Sequence, residues 1–367
     1  GEVDRLAHWI GKRIAYMKTR WGQPTASDAC GPTTTVGPNR TPGAFTALNP
    51  CRILDTREPI GVATRTAVPA MGTVSLKVTG RGGVPESASA VVLNVTVTGQ
   101  SALGFVTVYP KGSPVPSSSN LNFKPGQDRP NHVIATVGEG GYVQLRNDSA
   151  GSAHLIADVS GYFAGGGEAA AAGAFKGGAP VRLLDTREET DITAGARITG
   201  GTEVSLQVTG NHEDRNGSQM TVPADASAVV VNLTSAAPTA PGHLTVYPTG
   251  VQRPDVSNLN FLENEVAVAN QAIIKVGDQG KISIFAHTVP IPQGSGSHVV
   301  VDLYGYFIGG TPTEPGTYVP LTPKRILDSR DGTGMVAKLG IPSLARMINN
   351  YETIALDAVA STPGQTP

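Results

Sequence analysis

One unit is written twice in this chain and begun a third time, and that repetition constrains the fold more than any other feature of the sequence. Arg52-Ile-Leu-Asp-Thr-Arg57 returns as Arg182-Leu-Leu-Asp-Thr-Arg187 and again as Arg325-Ile-Leu-Asp-Ser-Arg330. Gly104-Phe-Val-Thr-Val-Tyr-Pro110 matches Gly242-His-Leu-Thr-Val-Tyr-Pro248. Ser119-Asn-Leu-Asn-Phe123 is identical to Ser257 through Phe261, and the stretch from His154 to Phe163 matches that from His298 to Phe307. The offset between copies grows from 130 at Arg182 to 138 at Ala226 to 144 at His298. The growth falls near Asn211–Gln219 and near His287–Gly296, both polar or turn-rich, while the apolar runs stay in register. Insertions confined in this way are expected of surface loops joining packed strands.

Within a copy the apolar runs are short and β-branched. Val74-Ser-Leu-Lys-Val78 alternates, as a strand with one wet face does. Ala90 through Val97 is more continuously apolar, which suits a central strand. Phe105–Tyr109, Val133–Val137, Tyr142–Leu145 and Leu155–Val159 complete the set, and Gly138-Glu-Gly-Gly141 reads as a hairpin turn. Gly (45) and Pro (28) make up about a fifth of the 367 residues, in keeping with many turns. The expected fold class is all-β: tandem antiparallel β-sandwich-like repeats preceded by one amphipathic N-terminal helix.

Composition sets the boundaries. Residues 1–23 form the expected helix, with Val3, Ala7, Ile10, Ile14, Met17 and Trp21 at alternating spacings of four and three, an apolar seam suited to oligomerisation or anchoring. Residues 24–43 read as an irregular linker, 44–163 as repeat 1, and 164–174 as a flexible Gly/Ala joint. Repeat 2 follows over 175–307, then a linker over 308–317 and a partial repeat 3 over 318–367.

Taken together, the Arg-Ile-Leu-Asp-Thr-Arg, Val-Val-Leu-Asn-Val-Thr, Val-Thr-Val-Tyr-Pro, Ser-Asn-Leu-Asn-Phe and closing Gly-Tyr-Phe motifs resemble a β module repeated in secreted and surface proteins of actinobacteria and in structural proteins of their phages. The resemblance implies an accessory, non-catalytic role and supplies no defined binding residues. The apolar seam and the absence of a visible secretory leader favour a virion tail or fibre component contacting the host surface. The alternative is a secreted surface-adhesion or carbohydrate-binding module. The expected partners are the chain itself (a trimer favoured), other virion proteins through the helix, and host envelope glycans.

No reactive constellation competes with that expectation. A net charge of −1 with 16% charged residues gives no electrostatic footprint for nucleic acid, and no apolar run is long enough to insert in a membrane. The motif residues Arg52, Asp55, Arg57, Arg182, Asp185, Arg187, Arg325, Asp328 and Arg330 are expected to form structural ion pairs or turn caps, since a catalytic pair is seldom copied into every unit of an array. Asp158 and Asp302 lie in apolar strands and need a partner: a backbone amide or a motif arginine is expected, with a calcium ion as the alternative. The seven histidines show no ligand spacing in sequence, so no metal or cofactor is expected. Cys30 and Cys51 could form one staple or remain two thiols.

Overall fold

The computed structural model describes residues 41–189, 191–288 and 294–321. The expected helix over 1–23, Cys30, and the motif residues Arg325, Asp328 and Arg330 lie outside them. One compact unit carries both repeats and spans Gly1–Arg253 and Ser257–Pro320; a second takes Pro254–Val256 and Leu321–Pro367. Among the described residues every regular element but two three-residue 3-10 turns is a strand.

Repeat 1 contains β1 (Phe45–Asp55), β2 (Thr73–Lys77), β3 (Ala90–Thr98), β4 (Gly104–Pro110), β5 (Leu121–Phe123), β6 (Arg129–Thr136), β7 (Tyr142–Ser149) and β8 (His154–Phe163). They form two four-stranded sheets, ordered β1-β8-β3-β6 and β2-β7-β4-β5, in which every pairing is antiparallel. The faces enclose one core in which Ile53, Leu76, Val91, Leu93, Val106, Leu145 and Val159 are fully buried. The layout is a β-sandwich, as the alternating strands predict.

Repeat 2 copies this plan. Its strands are β9 (Phe175–Asp185), β10 (Ile198–Thr199), β11 (Glu203–Gln207), β12 (Gly210–Glu213), β13 (Gln219–Val222), β14 (Ala228–Ala236), β15 (Gly242–Pro248), β16 (Leu259–Phe261), β17 (Ala267–Lys275), β18 (Lys281–Thr288) and β19 (Gly296–Phe307). One sheet runs β10-β19-β14-β17 with β9 also on β19, and the other runs β11-β18-β15-β16. The insertion expected as a loop near Asn211–Gln219 is instead a hairpin of β12 and β13, in register from Gly210↔Val222 to Glu213↔Gln219.

Two further expectations change. Gly138–Gly141 does not close a hairpin, because β6 pairs with β3 while β7 pairs with β2 and β4. The turn carries the chain from one sheet to the other, lying against the end of β4. A Cβ on Gly138 would sit 2.2 Å from the Lys111 backbone nitrogen, and the equivalent Gly277 stands as close to Thr249. Only glycine permits that crossing in either copy.

The Gly/Ala joint, for its part, is held at both ends. Gly43 donates to the carbonyl of Ala164 (2.7 Å), Phe175 to Gly43 (2.9 Å), Ile308 to Ala174 (3.0 Å), Tyr318 to Gly173 (2.7 Å) and Phe45 to Gly316 (2.8 Å). Both linkers are thereby tied into one backbone network. Composition predicted freedom here; hydrogen bonds to distant segments remove it.

Those bonds close over a third apolar core between the repeats. Ala90, Val92, Ile134 and Phe163 of repeat 1 meet Phe175, Ala228, Val230, Tyr304 and Phe307 of repeat 2. Phe163 and Phe175 have ring centroids 4.5 Å apart, Phe175 and Phe307 5.4 Å, and Phe307 stacks on Tyr318 at 4.3 Å. This explains the near-continuous apolar run of β3. Val91, Leu93, Val95 and Val97 face the sandwich core, while Ala90 and Val92 face the other repeat.

Candidate functional site

The repeated charged motif sits at the end of the first strand of each sandwich. Asp55 accepts from the Arg57 backbone amide (3.0 Å) and from its Nε and Nη2 (2.9 and 2.8 Å), and Arg52 adds a bond from Nη1 (3.3 Å). Asp185 receives the same set from Arg187 and Arg182. Each aspartate thus caps its own turn and anchors two guanidinium groups. The Arg52 fork also reaches Asp158 across the strand pair at 2.8 and 3.2 Å, and Arg182 reaches Asp302 at 2.8 and 3.3 Å. These side chains are engaged with one another and turn no free carboxylate toward a cleft.

Burial pushes the Asp55 and Asp185 carboxyls up. The guanidinium hydrogen bonds of Arg57 and Arg187, with their amides and charges, outweigh it and leave both below the usual carboxylate value. A carboxylate held down in the folded state contributes stability above its unfolded pKa and loses it as pH falls through the folded one. Stability should therefore drop below about pH 4, and a D55N/D185N double variant, less stable at neutral pH, should show a shallower drop. Denaturant midpoints between neutral pH and pH 3 check this; parallel slopes would refute it.

Four histidines that show no ligand spacing in the sequence have neighbours in the structure. His154 Nδ1 lies 2.9 Å from Thr56 Oγ1, and His298 repeats the contact with Thr186 at 3.2 Å, so this pair is a strand-end lock shared by both copies. His243 and His287, 44 residues apart in sequence, are directly opposed on β15 and β18. Tyr109, Tyr162, Tyr247, Tyr304 and Tyr306, aromatic residues that could stack on a sugar if exposed, are buried. Tyr142 is half-buried, with Lys111 Nζ 4.5 Å from its ring centre. Cys51 is disulfide-bonded.

A cleft of about 670 Å³ lies where the repeats meet. Repeat 1 contributes Phe105 and Asn122 from adjacent strands, together with Lys124 and Gln127. Repeat 2 contributes Thr234 on β14 and Val266 in the turn before β17. The floor mixes apolar surface with polar groups, as ligand clefts commonly do. One observation separates it from a mere seam: Val266 is 63% exposed and Leu103 55%, leaving uncovered apolar rims. Thr234, which also lines the cleft, is buried together with its hydroxyl.

The cleft's two carboxylates are both engaged. Asp148 accepts from Arg146 Nε (2.6 Å) and Thr107 Oγ1 (3.0 Å), while Glu265 accepts from the Leu262 amide (2.9 Å) and pairs with Arg129 (3.3 Å). The Arg129–Glu265 pair ties repeat 1 to repeat 2 along the rim. Arg182 and Arg187 of the repeated motif also line the cleft; the other lining residues named above were not singled out from sequence. The available signal was divergence between copies: Phe105 corresponds to His243, Asp148 to His287 and Lys124 to Leu262.

No family model matches the chain, and no curated protein does. Among solved structures, the N-terminal CBM22 tandem domain of a Paenibacillus barcinonensis protein is similar at 12% identity and a TM-score of 0.21, over 78% of this chain and 99% of that one. Bacillus subtilis oxalate decarboxylase is similar at 8% identity and a TM-score of 0.16, over 79% of this chain and 81% of that one. Likenesses at these scores carry no argument about this chain.

Proposed function

We propose that the chain is a non-catalytic structural and adhesive component that binds an envelope glycan in the cleft between its two sandwiches. The exposed apolar rims of Leu103 and Val266 beside Phe105 and the amide side chains of Asn122 and Gln127 carry the reading. A saccharide offers alternating apolar C–H faces and hydroxyls, which is the complement of that surface. The engaged states of Asp55, Asp148, Asp185 and Glu265 support a binding role over hydrolysis, because a carboxylate committed to a guanidinium is poorly placed to shuttle protons. The setting we favour is a virion tail or fibre, with a secreted bacterial surface protein as the alternative. The disulfide at Cys51 suits either, since both lie outside the reducing cytosol.

The test is calorimetric titration of the chain with polysaccharide purified from actinobacterial envelopes. F105A is expected to weaken binding about tenfold, the equivalent of about 1.4 kcal/mol of lost apolar contact. V266S, which removes an exposed apolar rim side chain, should weaken it by a smaller factor without loss of stability. Unchanged affinity in both variants, absence of binding, or release of shortened glycan would overturn the proposal. Immunogold imaging of phage particles and cell surfaces separates the two settings.

A further inference from the structure

The backbone bonds that tie down the linkers form a closed cycle. Each repeat opens on the same three positions: Gly43-Ala44-Phe45, Gly173-Ala174-Phe175 and Gly316-Thr317-Tyr318. The Phe175 amide donates to the carbonyl of Gly43 (2.9 Å), Tyr318 to Gly173 (2.7 Å) and Phe45 to Gly316 (2.8 Å). Each repeat thus bonds the one before it, and the first bonds the opening of the third. The three glycines have φ of 81°, 73° and 83°. A Cβ on each would stand 2.7, 2.5 and 2.5 Å from the carbonyl oxygen of the aromatic residue that bonds it. The ring contacts follow the same step, Phe163 lying 4.5 Å from Phe175 and Phe307 4.3 Å from Tyr318. A head-to-tail contact that returns to its start after three steps describes a threefold ring.

Burial identifies the surfaces that the third position would use. Between the two sandwiches, the sheet of β9, β19, β14 and β17 lies against β6 and the segment leading into β5, both at sheet edges of repeat 1. Arg182 and Asn232 donate to the carbonyls of Ser117 and Ser119, Tyr304 donates to Ser118 Oγ (3.2 Å), and Asn131 donates to Asn232 Oδ1 (3.4 Å). The repeat 1 equivalents of those sheet residues are Arg52, Asn94 and Ser160. Arg52 and Ser160 bond only within their own repeat, and Asn94 is half-buried where Asn232 is fully buried. On the edge strand β17, Ile273 is 37% exposed, against 4% for its β6 equivalent Ile134. Repeat 1 therefore keeps an uncovered sheet face and repeat 2 an uncovered strand edge, the two halves of the contact that already joins them. We infer that these two surfaces dock a third sandwich of the same module, the one opened by Tyr318, whose edge seals Arg52 and Asp158 as repeat 1 seals Arg182 and Asp302. The existing interface specifies the occupant, because each surface copies one whose partner is this module.

The experiment lengthens the full chain after Pro367 with residues 86–164 of its own repeat 1, which supply β3 to β8. Maleimide labelling of N94C and I273C, one on each docking surface, is compared between the parent and lengthened chains. Both thiols should react at least about tenfold more slowly in the lengthened chain. R52A, mild in the parent chain, should lower the denaturation midpoint of the lengthened chain as far as R182A does. Equal labelling in the two chains, whether the added strands stay unfolded or fold apart from the other sandwiches, would overturn the inference. G316A tests the ring in the parent chain alone. Alanine is strained at positive φ and would meet the Phe45 carbonyl, so G316A should lower the melting temperature about as far as G43A and G173A do. A melting temperature unmoved by G316A would show that the first and third repeats are not joined, and the inference would fall with the ring.

Discussion

R182A is expected to cost the fold about 3–5 kcal/mol, while R52A, the same change in the other copy, should cost about 1 kcal/mol or less. The two arginines make the same contacts with their aspartates, so the difference comes from solvent. The Arg182 and Asp302 side chains are 14% and 0% exposed, against 37% and 26% for Arg52 and Asp158. Arg182 also donates to the carbonyl of Ser117 in repeat 1, a bond Arg52 does not make to another repeat. Removing Arg182 leaves a carboxylate sealed between the sandwiches with no cation. Burial already pushes the Asp302 carboxyl up, with Arg182 opposing it. Without that opposition the group takes up a proton on folding, which makes R182A relatively more stable as pH falls. Chemical denaturation of both variants at neutral and acidic pH decides the matter. Equal losses in the two copies would mean that the inter-repeat environment does not set the strength of the pair.

F175A should act on cooperativity as well as stability. Phe175 is 2% exposed and stands between Phe163 and Phe307 in the inter-repeat core. Truncation should cost about 3–5 kcal/mol, and the loss falls on the junction, since neither sandwich core contains this ring. The described repeats are expected to melt as one transition in the parent chain and as two in F175A. Scanning calorimetry provides the check through the ratio of van't Hoff to calorimetric enthalpy. A single transition shifted intact to lower temperature would show that other contacts suffice to couple the repeats.

Much of each sandwich was legible in the sequence. The alternation of Val74–Val78 and the β-branched run of Ala90–Val97 identify strands because side-chain direction along a strand follows a period of two, a local property. The recurrence of Ser-Asn-Leu-Asn-Phe also points to structure. Asn120 is fully buried, and its Oδ1 accepts from the Val108 amide at 2.7 Å, as Asn258 does from Val246. Other features were not legible. A Gly-rich turn says that the chain reverses, not which sheet receives the next strand, so Gly138–Gly141 read as a hairpin. Composition gave the Gly/Ala segment freedom that bonds from Gly43, Tyr318 and Ile308 remove. His243 and His287 lay too far apart in the chain for any spacing rule.

The sequence by itself determined a duplicated, antiparallel, strand-built unit with its own core, because period and repetition are written in consecutive residues. Only the tertiary structure decided that the two units share a third core, that one copy of the Arg–Asp pair is sealed and the other wet, and that a cleft opens between them. Those outcomes depend on which outer faces meet, and nothing in the order of residues along a strand specifies the surface lying across from it.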